Sequence, residues 1–208
     1  MTAEDKSKPK VSRRNFVKGA VAGLVVGAAA TYGVTTTMMQ PPRPELTPLT
    51  MKYPTSGKLV SFKVNGKSVS KYIEAKWTLL EVLRRELGLK GTKNSCDYGE
   101  CGVCSVIVDG KLKLACMMLA VEVEGKNIET IEGLAKGDSL HPIQEAFIQY
   151  PAFQCGFCTP GMIMTTKALL DENSRPTEDE IRRAISGNLC RCGEYARITV
   201  AIQKLAGT

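Results

Sequence analysis

Apolar and polar positions alternate with period two in two separate stretches, and in each the alternation is broken by a two-residue turn. Residues 59–64 (LVSFKV) alternate, Asn65-Gly66 follows, and residues 67–73 (KSVSKYI) return, so this stretch predicts a β-hairpin. Residues 105–116 (SVIVDGKLKLAC) predict a second hairpin, turning at Asp109-Gly110 and placing Cys116 on its returning strand. Between the hairpins the period lengthens. From Thr78, Leu79, Leu80, Val82, Leu83 and Leu87 fall on one face of a helix that stops at Gly88. Residues 127–133 (NIETIEG) predict one more short strand. Beyond Gly133 the texture is helical. Residues 141–150 carry Pro142 in a first turn, and residues 160–173 form a second apolar stripe. Thr177 and Glu180 make a capping box for a third helix that ends at Gly187, and residues 196–205 close the chain as a fourth. Trp77, Met162 and Met164 read as packing residues.

Hairpin, helix, loop, hairpin and strand in that order form an α+β arrangement, a β-grasp ferredoxin domain, and four short amphipathic helices follow it as a small bundle. The expected boundaries are 58–133 and 134–208. Two further segments precede them. Residues 1–18 hold six basic and two acidic side chains around Ser12-Arg13-Arg14-Asn15-Phe16, and a Gly/Ala-rich apolar run leads to Ala28-Ala29-Ala30. Residues 1–30 thus read as a twin-arginine export signal, used by the twin-arginine export machinery and delivering the chain to the periplasm or the outer face of the membrane. The alternative is retention as an anchor, for which the run is shorter than the ~20 residues a span requires. Residues 31–57 are a Pro-rich linker. The leader accounts for +4 of the formal net charge of +7, and the scattered +3 that remains argues against a nucleic-acid partner.

The chemistry lies in eight cysteines. Cys96, Cys101, Cys104 and Cys116 have the spacing C-x4-C-x2-C-x11-C, with Gly99 and Gly102 in the tight part of the loop. This is the plant-type [2Fe–2S] spacing: small residues let backbone N–H groups approach thiolates that carry net negative charge. An all-cysteine zinc site usually pairs C-x2-C with C-x2-C, which the first arm does not match. Cys155 and Cys158 (C-x2-C) and Cys190 and Cys192 (C-x-C) fall where predicted helices start or stop, so their loops can face one another at one end of the bundle. On spacing alone this second quartet admits a second [2Fe–2S] cluster, a zinc site or a redox dithiol. The single histidine, His141, leaves a Rieske centre short of a ligand and suits a helix start better than a hydrolase triad. Neither C-x2-C is followed by His, which excludes c-type haem attachment.

Residues 58–208 resemble the iron–sulfur subunit of the molybdenum hydroxylases, the xanthine dehydrogenase and aldehyde oxidoreductase group. The resemblance is carried by GTKNSCDYGECGVC with Cys116, then HPIQ, QCGFCTPGMI and GNLCRCGEYARI, in that order. It implies two [2Fe–2S] clusters, the second held by Cys155, Cys158, Cys190 and Cys192. This second cluster would lie beside a molybdopterin-type molybdenum cofactor in a larger partner subunit. Gln154 is the residue implied to hydrogen-bond the pterin, with Cys192 alongside it at the cofactor-binding edge. Electrons would pass from the molybdenum site through both clusters to FAD in a flavin subunit or to a cytochrome. Two positions depart from the family pattern. Asp97 stands where glycine is common, adding negative charge beside a cluster, and Gly193-Glu194 stands where Thr-Gly is common, a feature closer to the bacterial aldehyde-oxidising branch. No substrate-converting site is expected in this chain. The alternatives are a stand-alone exported ferredoxin-like carrier, against which Gln154 and the helical segment argue, and a disulfide-stapled structural protein, which would contain no iron.

Overall fold

The computed structural model describes Lys18, Ala20, Val21 and residues 56–208. Apart from Lys18, Ala20 and Val21, the 1–30 segment expected to be an export signal lies outside the described residues, as does nearly all of the 31–57 segment expected to be a linker. Lys18, Ala20 and Val21 are helical and exposed. Among the described residues no helix is long and apolar enough to cross a membrane.

Both expected hairpins form. Strands β1 (Gly57–Val64) and β2 (Lys67–Glu74) pair antiparallel from Gly57↔Glu74 to Val64↔Lys67, and Asn65 and Gly66 close the turn with φ of 50° and 77°. Strands β3 (Ser105–Val108) and β4 (Lys111–Leu114) are closed in the same way by Asp109 and Gly110 at 49° and 76°. Positive φ at both central residues is the turn whose twist matches that of the strands it joins. Strand β5 (Asn127–Glu129) joins the two hairpins, parallel to β1 and antiparallel to β3, giving the order β2-β1-β5-β3-β4. It is shorter than expected, because after Thr130 the chain tightens into a 3₁₀ turn, Ile131–Gly133.

The first helix also departs from expectation. Thr78 and Glu81 form a capping box for α1 (Leu79–Glu81), but the helix continues as a π turn over Val82–Glu86, with Leu87 N–H bonding Val82 O at 3.1 Å. Leu79, Leu80, Val82 and Leu83 are all buried against β1 and its neighbours. The π turn widens the helix by one residue per turn while the apolar stripe stays buried. Trp77 packs at the edge of this first core.

Four helices follow: α2 (Pro142–Gln149), α3 (Thr159–Glu172), α4 (Glu178–Ile185) and α5 (Tyr195–Ala206). His141 caps α2, its Nδ1 accepting the Ile143 N–H at 3.3 Å while its own N–H bonds Gln144. Burial, then the charges of Lys167 and Lys136, hold its imidazole below the usual range, so Nδ1 stays free to accept. Met162 and Met164 are buried core residues.

Strand β3 is buried on both faces. Val106 and Val108 point into the first core, whereas Ile107 joins Val103 and Cys101 in a second core with Met162, Ile181 and Ile198 of the helices. Helix α3 lies across β3 and β4. The helical half is therefore packed directly on the cysteine loop of the sheet half, and Lys52–Thr208 form one compact unit.

Candidate iron–sulfur sites

The first cysteine loop is pinned at its entrance by side chains distant in sequence. Arg84, leaving the π turn, donates from Nη1 to the carbonyls of Lys90 and Thr92 at 2.9 and 2.7 Å. Glu132 accepts the Gly91 N–H at 2.7 Å and the Thr130 hydroxyl at 2.6 Å. Within the loop Asp97, Gly99 and Gly102 take left-handed φ values of 60°, 87° and 69°. These bends turn peptide N–H groups inward. The sulfur of Cys96 accepts from Tyr98 first, and also from Cys101 and Glu100, which lowers this thiol to about 6 against the opposing effect of burial. Cys104, by contrast, is pushed up to about 12 by burial.

Cys116 is not on strand β4. The strand ends at Leu114, and Cys116 sits in a 3₁₀ turn, Ala115–Met117. The Ala115 N–H bonds Cys104 O at 3.2 Å, and this turn brings the Cys116 sulfur to 3.4 Å from that of Cys104. A straight strand would carry it past.

The second quartet gathers at one end of the bundle, as its position at helix termini predicts. Cys155 and Cys158 occupy the α2–α3 loop, Cys158 being the residue before α3, and Cys190 and Cys192 occupy the α4–α5 loop. Cys158 is buried and pushed up to about 12, chiefly by that burial and further by the Cys190 thiol. Burial also opposes ionisation of Cys190, but the N–H groups of Glu194, Cys192 and Gly193 and the Cys158 thiol outweigh it and hold Cys190 below its ordinary value. Cys192 receives the Cys155 N–H, which favours its thiolate, yet contact with the Cys155 thiol and partial desolvation leave it raised. Cys155 is exposed, as is Gln154 beside it.

All eight thiols are unbonded, and they come in pairs. Cys96 touches Cys101, Cys104 touches Cys116, Cys155 touches Cys192, and Cys158 touches Cys190. Two thiolates on one tetrahedral ion at about 2.3 Å would stand about 3.8 Å apart, close to the Cys104–Cys116 spacing and far beyond a disulfide of about 2.05 Å. Two pairs per quartet is the donor set of a two-iron group. The residues present fit two such groups.

The two loops are also bonded to each other. Leu189, next to Cys190, donates its N–H to the carbonyl of Cys101 at 2.8 Å. Asn188 Nδ2 donates to Gly102 O at 2.8 Å, while its Oδ1 accepts from the Thr165 hydroxyl at 2.9 Å. The approach requires glycine: a Cβ on Gly102 would lie 2.3 Å from Gly187 O, and one on Gly161 would lie 2.8 Å from Gly102 O. The Tyr195 hydroxyl braces the C-x-C turn, accepting the Cys190 N–H at 2.8 Å and donating to Asn188 O at 3.1 Å.

Comparison with known proteins agrees with this geometry. Residues 62–135 match the 2Fe-2S iron-sulfur cluster binding domain, and residues 130–203 match the [2Fe-2S] binding domain. The aldehyde oxidoreductase iron-sulfur-binding subunit PaoA of Escherichia coli O157:H7 is 42% identical, covering 95% of this chain and 89% of its own. This chain belongs to the iron–sulfur subunits of the molybdenum hydroxylases. The nicotinate dehydrogenase small FeS subunit of Eubacterium barkeri is 44% identical over 69% of this chain and 92% of its own. Quinoline 2-oxidoreductase from Pseudomonas putida 86 contains a chain that superposes with a TM-score of 0.71 at 43% identity, over 73% of this chain and 94% of that one. In this iron–sulfur subunit the cysteines, Gln154, Asp97 and Glu194 stand out in the sequence. Arg84, Glu132, Asn188 and Tyr195 do not, because each acts through a contact that only the fold creates. The one sequence signal for Asn188 and Tyr195 is their place inside GNLCRCGEY.

Proposed function

We propose that this chain is the electron-transfer subunit of an exported molybdenum hydroxylase, working beside a larger subunit that carries the molybdenum cofactor and oxidises aldehydes. The observation that carries the reading is the pairing of eight thiols into two quartets whose loops are hydrogen-bonded to each other. Cys96, Cys101, Cys104 and Cys116 hold one [2Fe–2S] group, and Cys155, Cys158, Cys190 and Cys192 hold the other. Each group, when bound, supplies reversible storage of one electron.

The chain's own residues supply geometry and tuning. Peptide N–H groups of Tyr98, Glu100 and Cys101 offset negative charge on the first quartet. Burial of Cys101, Cys104 and Cys116 keeps water from it. The Leu189–Cys101 hydrogen bond gives a continuous bonded path between the quartets. Gln154, Cys155 and Cys192 form the edge turned to the large subunit's cofactor, and the first quartet faces the outgoing side, toward a flavin subunit or a cytochrome. The domains are 58–133 and 134–208, and the leader directs export by the twin-arginine route. Aldehydes are proposed as substrate class because the PaoA relative, similar over nearly the whole chain, is named for them.

The test is metal analysis of the protein purified from its own cells. About four irons and four acid-labile sulfides per chain are expected, without stoichiometric zinc, together with two distinct EPR signals on reduction and a larger molybdenum-containing subunit that copurifies. Iron near two per chain, with four thiols open to alkylation, would remove the second group. Full iron with no molybdenum partner would favour a stand-alone carrier.

A further inference from the structure

We infer that Glu194 is a positioning residue that decides which end of the Gln154 amide faces the partner subunit. Glu194 is only 7% exposed and is the residue before α5. Its backbone N–H serves the Cys190 sulfur, and its side chain turns the other way, to the opposite cysteine loop. There Gln154 Nε2 donates to Glu194 Oε1. The second carboxylate oxygen lies 3.5 Å from Arg197 Nη1, an ion pair that makes no hydrogen bond, so this buried Oε2 has no donor.

The chemistry of the pair fixes the amide. A carboxylate matched to a guanidinium has lone pairs and no hydrogen to give, so the end of Gln154 that meets it is the NH₂ end. The carbonyl oxygen is then the end left over. Gln154 Oε1 makes no hydrogen bond among the described residues, and the side chain is exposed next to exposed Cys155. Gln154 therefore offers an acceptor at this edge, and the group it meets is an N–H or O–H donor. A free glutamine could present either end, since the two are nearly the same shape. A buried carboxylate removes that choice before docking, which lowers the ordering cost of the contact. The inference rests on the reading that this edge faces the large subunit's cofactor.

The test is a double-mutant cycle in the intact complex, with two readouts: molybdenum retained after prolonged dialysis, and the rate at which the helical-half EPR signal appears after substrate is added. Glu194→Leu is expected to lower both by about five-fold, the scale of one amide hydrogen bond, with iron unchanged. Gln154→Ala should do the same, and the double variant should be no worse than either. Glu194→Gln, which can turn its own carbonyl to Gln154, should stay near the parent. If Glu194→Leu lost iron, Glu194→Ser, too short to reach Gln154, would be judged by the same criteria. Effects that multiply in the double variant, or a Glu194 change without effect where Gln154→Ala impairs, overturn the clamp alone. A Gln154→Ala variant indistinguishable from the parent overturns both the clamp and the reading of this edge.

Discussion

Asp97 shows how one residue joins backbone conformation to redox tuning. Its φ of 60° is left-handed, a conformation that costs most side chains about 1–2 kcal/mol and that Asp and Asn tolerate best. Asn94 Nδ2 steadies the carboxylate at 2.9 Å. The charge thus stands one residue from Cys96, whose sulfur already draws three peptide N–H groups. Reduction adds an electron, and a nearby anion opposes it. Asp97→Asn keeps the tolerance for positive φ and removes the charge, so the midpoint potential of the group in the first quartet should rise while iron content stays the same. An EPR-monitored redox titration checks this; an unchanged or lower potential would contradict it. Cys96, Cys101, Cys104 and Cys116 were legible from their spacing, whereas Cys155, Cys158, Cys190 and Cys192 were legible only through the ordered motifs of the family resemblance. Asp97 and Glu194 were legible only as departures from a pattern. The backbone at Asp97 is set by a left-handed dihedral angle, and the partner of Glu194 is Gln154, forty residues away, a contact no local pattern encodes.

At the level of elements, what could be read in advance was what local chemistry dictates. Asn65-Gly66 and Asp109-Gly110 announce their turns, and His141 with Pro142 and Thr177 with Glu180 announce their helix starts. The π turn after Glu81 and the 3₁₀ turn holding Cys116 could not be read so. Each meets a partner across the fold: the apolar core beneath α1, and the Cys104 carbonyl that takes the Ala115 N–H. The loop-to-loop contact is of the same kind and makes a quantitative prediction. Gly102→Ala places a Cβ 2.3 Å from Gly187 O and 2.9 Å from the Asn188 Cα, both backbone atoms, at a φ of 69°. The strained dihedral and the overpacking together should cost about 2–5 kcal/mol. Gly110→Ala is the control. Its φ is 76°, but nothing lies within 4 Å, so only the dihedral cost of about 1–2 kcal/mol applies. Denaturant unfolding of the two variants compares them directly, and equal losses would mean that the loops are not in close contact.

For the whole molecule, the decisive feature is that both quartets belong to one compact unit. Cys101 is part of the first quartet and of the helical core at once, and the Asn188 side chain reaches from the second loop into the first. Cys101, Cys104, Cys116 and Cys158 are buried, so the closed fold shields their sulfurs from iron delivered through solvent, and loading is expected before or during folding. A chain built this way, if it leaves the cytoplasm, leaves with its iron in place and its fold closed. That requirement suits the twin-arginine route, which carries folded, cofactor-loaded proteins, and it does not suit a route that threads unfolded chains. Replacing Arg13 and Arg14 together with lysine should therefore hold the protein in the cytoplasm with about four irons per chain and both EPR signals intact. A large subunit that travels bound to it should be retained as well. Cell fractionation followed by EPR of each fraction makes the measurement. Export of the double variant would refute the signal, and a retained variant lacking iron would break the link drawn here between loading, folding and export.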